Sequence, residues 1–534
     1  MNRRNFLRRT VPVTTIPFLL GGFSVHAFGR SSFLETLASI AADTDRVFIL
    51  IQLNGGNDGL NMVIPRDQYT ALAAARSNIM IPEAKVLPLT DATGLHPSMT
   101  GLQALYQAGK LVVCQSVGYP SPNFSHFRAT DIWLTGSDSN QILTTGWLGR
   151  YLNLEYSGYP TGYPSASMPD PLAIQIGSVV LPVLHGSAGS MGLAITNPNT
   201  SYILPGGADT PPDSPAGHEL TFLREVAQQT SLYATVVKNA AAKGKNVSTL
   251  YPTAGSNTLA DQIKIVAQLI SGGLKTRIYV VSLGGFDTHS AQVIVGATET
   301  GTHATLMGRI SGAIAAFMDD AKLQSFESRV LGMTFSEFGR RIKSNASNGT
   351  DHGAAAPLFV FGSGVQGGIL GTNPVLPAAA TTSDNIAMQY DYRRVYAAVL
   401  KDWFGASSTQ LASILPGHQP LPIIRPDVAL GVEEENLPSS YVLNQNYPNP
   451  FNGETRISFA VPPGVGRGAA QDGSRVTLTV YDVTGREVAS LVDSPLGPGR
   501  HEVVFDASRL SSGMYLYRLR AGEFVETKRM VLVR

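Results

Sequence analysis

The chain has 534 residues, of which 43% are hydrophobic, and a net charge of +1. That length permits several domains and that hydrophobic share fills a large core, while the balanced charge gives no broad field for nucleic acid or an anionic membrane. The single cysteine, Cys114, excludes an intramolecular disulfide and a thiolate metal cluster, and in Leu111-Val112-Val113-Cys114 it reads as a small core residue.

At the N-terminus, Asn2-Arg3-Arg4-Asn5-Phe6-Leu7-Arg8 sets paired arginines before a hydrophobic pair, and Val11–Phe28 is mostly apolar and uncharged. This pattern predicts an export signal over residues 1–27, and the twin arginines predict the folded-protein route through the twin-arginine translocase. The alternative is a membrane anchor. Against the ~20 apolar residues of a span, the stretch is short and is broken by Pro12, Pro17 and two glycines. Residues 28–44 read as a leader.

Residues 45–425 read as the main domain. Val47–Leu53, Leu111–Ser116, Leu172–Ile176, Arg277–Leu283, Val330–Phe335 and Leu358–Phe361 are nearly continuous apolar runs, as strands buried on both faces require. Between them Gln68–Arg76, Met99–Ala108, Glu219–Lys238, Leu259–Ile270, His303–Phe317 and Arg393–Phe404 carry helical patterns; Ile263, Val266, Ala267 and Ile270 show the spacing. This alternation predicts an α/β domain with a central, mainly parallel sheet flanked by helices. Such sheets bind ligands at the carboxyl ends of their strands.

Four of those ends carry acids or imidazoles beside glycines. They are Asn54-Gly55-Gly56-Asn57-Asp58-Gly59, the stretch Gly118–Arg128 with Ser125 and His126, Gly284-Gly285-Phe286-Asp287-Thr288-His289, and Ser336-Glu337-Phe338-Gly339, with Thr350-Asp351-His352-Gly353 soon after. Carboxylates and imidazoles together suit a divalent metal such as zinc, or manganese with more oxygen donors. Each residue also has a plainer reading. Asp58 suits a turn before glycine, Ser125 suits a helix N-cap, Glu337 suits an ion pair with Arg340 or Arg341, and His126 and Arg128 suit pairing with Asp131.

The segments "LNGGNDGLN", "QSVGYPSPNFSHFRATDIWLTGS", "GGFDTHSAQ", "FSEFGRR" and "GTDHGAAAPLFVFG" resemble a family of exported bacterial proteins of unknown function, grouped with the alkaline phosphatase and sulfatase superfamily. The resemblance implies an alkaline-phosphatase-like fold, one or two divalent metals and a nucleophile at a helix N-terminus. Carried over residue by residue, it implies Asp58, Asp287, His289, Glu337 and His352 as metal ligands, with Asn57 as an alternative to Asp58. Ser125 takes the nucleophile position, and His126 and Arg128 are placed to bind an anionic substrate group. Three departures stand out. Asp287 and His289 are two apart, where phosphatase relatives often use a wider gap. Phe338 follows Glu337 where the superfamily has a histidine, and Cys114 lies outside any sulfatase-type motif, which argues against formylglycine chemistry. The implied function is metal-dependent hydrolysis of phosphate or sulfate esters of a small molecule or polymer. The alternative is a non-catalytic surface or matrix binding protein that keeps the fold.

Residues 426–440, with Glu433-Glu434-Glu435, read as a polar linker. Beyond it Arg456–Val461, Val476–Asp482, His501–Phe505 and Gly513–Arg520 read as strands separated by turns such as Thr484-Gly485 and Ser512-Gly513. They predict a small immunoglobulin-like β-sandwich over 441–534. The motifs "NYPNPFN", "VYDVTGREV" and "SGMYLYRL", and the basic end with Lys528, Arg529 and Arg534, resemble the C-terminal sorting domain of the type IX secretion system. That resemblance implies passage through the periplasm to the cell surface or the medium, with the secretion machinery as partner.

Overall fold

The computed structural model describes residues 18–20, 23–25, 45–165, 167–199, 212–430, 440–462, 474–496, 499–508 and 510–533. Nearly all of the predicted signal, the leader and most of the linker lie outside them. The chain divides into two compact units, residues 1–431 and 432–534.

Strand β1, Val47–Asn54, explains the apolar runs. Phe48 and Leu50 join one apolar cluster, and Val47, Ile49, Ile51 and Leu53 join a second. A strand covered on both faces needs apolar residues at every position. The chain then supplies β2 (Leu111–Gly118), β3 (Ala173–Ile176), β4 (Leu193–Ile195), β5 (Ile278–Gly284) and β6 (Val330–Phe335). After these come a separate hairpin of β7 (Arg340–Ser344) and β8 (Thr350–His352), then β9 (Ala356–Phe361), β10 (Gly368–Leu370) and β11 (Tyr390–Asp391). The nine-stranded sheet runs β4-β3-β5-β1-β6-β9-β2, and β10 and β11 both pair with β2. All neighbours are parallel except β9, which runs against β6 and β2.

Helices cover both faces. One cluster includes Ile263, Val266 and Ile270 of α4 (Thr258–Ser271) and Met307, Ile310 and Phe317 of α5 (Thr302–Leu323). Helix α4 starts where Asn257 accepts the Leu259 and Ala260 N–H groups, a normal N-cap. The other cluster draws Ile132 and Trp133 from α2 (His126–Thr135), Trp147 and Leu148 from α3 (Trp147–Glu155), and Val395 and Tyr396 from α6 (Tyr392–Ala398). Helix α1, Tyr69–Arg76, lies beside the hairpin. The single helix expected over Arg393–Phe404 is α6 followed by a π-turn at Val399–Trp403. Strands β4, β10 and β11 have two or three residues each, and β7 holds three basic residues and a single apolar one, Ile342, so no apolar run announces them. Among the described residues no helix is long and apolar enough to cross a membrane.

In the C-terminal unit, β12 (Val442–Leu443), β13 (Glu454–Val461) and β16 (Gly499–Asp506) form one antiparallel sheet. A second contains β14 (Ser474–Asp482), β15 (Glu487–Leu496), β17 (Gly513–Ala521) and β18 (Phe524–Leu532), in the order β15-β14-β17-β18. Ile457, Phe459, Val476, Leu478 and Leu519 share one core between them, as in a β-sandwich. Tyr517 is buried in that core, and its hydroxyl binds the Asn446 N–H and the Asn444 carbonyl, each at 2.8 Å.

Candidate metal centre

Because β5, β1 and β6 are parallel neighbours, the loops that leave them share one edge of the sheet. The β1 and β5 loops touch at Gly55, which has a φ of +126°. A Cβ there would fall 2.4 Å from the Asp287 backbone nitrogen, so the contact needs glycine. Asp287 projects from the β5 loop. His289 follows two residues later, β8 supplies His352, and the first turn of α2 supplies His126.

These four side chains meet. His289 Nε2 and His352 Nε2 each lie 3.2 Å from Asp287 Oδ1 and 2.8 Å from one another. His126 Nε2 lies 3.5 Å from Asp287 Oδ2. His126, Asp287 and His352 each bring a ligand atom to within 4.8 Å of the others.

The second nitrogen of each ring is committed elsewhere. His352 Nδ1 donates to the Phe124 carbonyl at 2.8 Å, His289 Nδ1 faces Asp351 Oδ1 at 3.0 Å, and His126 Nδ1 faces Glu337 Oε1 at 2.8 Å. A carbonyl only accepts. Asp351 is held below the usual carboxylate range: burial raises it, but hydrogen bonds from Asn345 and His289 outweigh that. Glu337 Oε1 also accepts the Gly55 N–H at 2.9 Å. We therefore assign the proton of each neutral ring to Nδ1, which leaves all three Nε2 lone pairs aimed at one carboxylate.

Asp287 is ionised. Burial raises its pKa, but the hydrogen bond and charge of Arg340 outweigh that and hold it below the usual carboxylate range. For His352, burial is the largest influence and lowers its pKa, which favours the neutral ring. Lone pairs and a carboxylate packed this closely repel unless a cation or an added proton lies among them. Donors ~2.1 Å from one tetrahedrally bound ion are ~3.4 Å apart, a little wider than the separations of 2.8, 3.2 and 3.2 Å here. Histidine ligands to metals characteristically donate their other N–H to a carboxylate or carbonyl.

Arg340 braces the centre from below. It is fully buried and donates to Asp287 Oδ1 at 2.8 Å, to Thr350 O at 2.7 Å and to the carbonyls of Gly55, Gly56 and Phe286. It thus ties the loops after β1 and β5 to the hairpin.

The other expected site residues are placed as follows. Glu337 is buried behind His126, bonded to its ring and not at the Nε2 cluster. Asp58 is apart from the cluster: both its oxygens lie 2.8 Å from Arg76 Nη1, and Oδ2 accepts Gln292 Nε2 at 2.6 Å. Arg128 is engaged by Asp131 and by the carbonyls of Asp138, Ser139 and Gln141. Ser125 is the exposed N-cap of α2, and its hydroxyl makes no capping bond. Sequence reasoning gave His126 a substrate-binding place and did not single out Asp351 or Arg340. The one available signal for Asp351 was its position beside His352.

Residues 222–415 match the model of a family described as protein of unknown function, DUF1501. Residues 445–533 are a secretion system C-terminal sorting domain. That domain marks the chain for export by the type IX system to the cell surface or the medium. No curated protein matches the chain. Among solved structures, the chain is similar to a sulfatase from Pseudoalteromonas sp., with 10% identity, 89% of this chain and 86% of that one covered, and a TM-score of 0.31. Alkaline phosphatase from the Antarctic bacterium TAB5 gives 9% identity, 70% and 99% coverage, and a TM-score of 0.26. PorZ, a surface component of the type IX secretion system of Porphyromonas gingivalis, gives 18% identity and a TM-score of 0.12. That match covers 21% of this chain and 14% of PorZ.

Proposed function

We propose that the main unit is an exported, metal-dependent hydrolase of phosphate or sulfate esters. The observation that carries this reading is the convergence of three imidazole Nε2 atoms on Asp287, each ring oriented by an oxygen at its Nδ1. His126, Asp287, His289 and His352 would hold a divalent ion, and the nitrogen and carboxylate donors suit zinc. A bound ion would neutralise the charge of the ester group and of the departing oxygen.

Ser125 is the proposed nucleophile. It stands next to His126 at the N-terminus of a ten-residue helix, whose first-turn N–H groups and dipole favour an anion. Its hydroxyl would displace the alcohol of the ester, with the proton passing to the departing oxygen, and water would then release the group. Arg128 is engaged by Asp131 of its own helix and by the loop that follows it, and has no role in this scheme. Export would begin through the twin-arginine route and finish through the sorting domain.

The test is Ser125→Ala, assayed with aryl phosphates and aryl sulfates alongside metal analysis and a thermal melt. The expected result is loss of most turnover with the metal retained. Stability should fall by less than the ~1 kcal/mol of a working N-cap, because the hydroxyl caps nothing. Unchanged turnover per folded molecule would remove Ser125 from the chemistry. A wild-type protein that binds metal but cleaves no ester in the panel would favour the binding-protein alternative.

A further inference from the structure

Arg340 and Arg341 are adjacent in β7 and do different things. Arg340 is sealed against Asp287. The Arg341 guanidinium instead lies over the Phe124 ring, 5.0 Å from its centroid, and donates Nη1 to the Ser383 carbonyl. Asp384 is near enough to feel the charge, but among the described residues the direct partners of the guanidinium are this ring and this carbonyl, both uncharged. Such stacking fixes the plane of a guanidinium, and a planar fork held this way suits an oxyanion.

Phe124 couples this cation to the centre, because its carbonyl is the group that orients His352. Phe127, next to His126, is 91% exposed, so an apolar ring stands in solvent beside the centre. Arg128, the other arginine of this segment, is occupied by Asp131 and three carbonyls.

We infer that the substrate is a polyanion: beside the ester at the centre it carries a second oxyanion, a phosphate, sulfate or carboxylate, which Arg341 binds. This rests on the ester-hydrolase reading above and narrows its substrate class. Arg341 acts on selection of the substrate and takes no part in holding the metal.

The experiment is isothermal titration of the full-length, metal-loaded chain with glucose 6-phosphate and glucose 1,6-bisphosphate, with turnover of both measured in parallel. Wild type should bind the bisphosphate about tenfold more tightly, the scale of one charge-assisted contact. Arg341→Gln should abolish that preference while leaving monophosphate affinity and metal content unchanged, and Arg341→Lys should keep part of it. Arg520→Gln, the same loss of charge in the C-terminal unit, should leave the preference intact. Equal affinity for the two sugars in wild type, or a preference that survives Arg341→Gln, overturns the inference. The two readings fail separately. An Arg341-dependent preference without turnover would sink hydrolysis and keep the subsite, and turnover without the preference would do the reverse.

Discussion

Asp58 and Asp287 both follow strands of the central sheet and both contact an arginine, yet their surroundings are opposite. Asp58 is 1% exposed, and Arg76 and Gln292 occupy both its oxygens. Arg76 is also saturated, donating to Ile342 O at 2.9 Å and Arg341 O at 2.7 Å. The Asp287 side chain is 47% exposed, takes Arg340 as its one arginine or lysine donor among the described residues, and meets three imidazole lone pairs. A strand-end carboxylate thus becomes scaffold when N–H donors fill its acceptor sites. It stays open to a ligand when its neighbours are acceptors too.

The largest effect should come from the open carboxylate. Asp287→Ala with His352→Ala removes two converging donors, so bound divalent metal should vanish from the purified chain while the fold persists. Metal content equal to wild type, read by elemental mass spectrometry, would make the two regions equivalent and end the comparison.

The sealed pair should respond in stability instead. Arg76→Met leaves Asp58 charged, buried and uncompensated, at a cost of ~3–5 kcal/mol. Chemical denaturation should show that loss, and metal per folded molecule should stay at the wild-type value. If the metal is lost and stability is kept, the roles assigned to the two aspartates are reversed.

Acid should separate the regions more gently. His303 Nε2 binds Asn57 Oδ1 at 3.1 Å beside the sealed pair, and the His96 ring lies 6.0 Å from the His303 ring. Burial lowers their pKa values to about 4 for His303 and about 3 for His96. The unfolded chain protonates them below ~6.5 and the folded chain does not. Their contribution to stability is therefore intact above pH 6.5 and is lost as pH falls toward 4 and then 3. The slope is at most ~1.4 kcal/mol per pH unit for each histidine. Asp287, held at about 2 when folded, contributes only above its ordinary 3.8, and that contribution is lost between 3.8 and 2. Thermal melts from pH 7 to 5 should fall less steeply in His303→Gln, and a slope equal to wild type would clear the sealed region of acid sensitivity.

Amino-acid order alone determined the elements whose environment is uniform along their length. Val47–Leu53 and Leu111–Ser116 are legible as strands because both faces of each are covered, so every position must be apolar. Helix α4 is legible because one stripe of it is buried, and the short motifs from Asn446 to Arg529 mark the sorting domain. The sheet edge could also be foreseen as the place where Asp287, His289 and His352 gather, since parallel strands bring their carboxyl ends together. The tertiary structure decided what each acid does there. Asp58 reads like Asp287 in sequence, and only the arrival of Arg76 from α1 and Gln292 from a distant loop seals it. His126 turns to the centre because Glu337, 211 residues away in sequence, accepts a hydrogen bond from its Nδ1–H. Local pattern encodes burial, but the role of a charge depends on which donors and acceptors surround it, and those come from chain segments far apart.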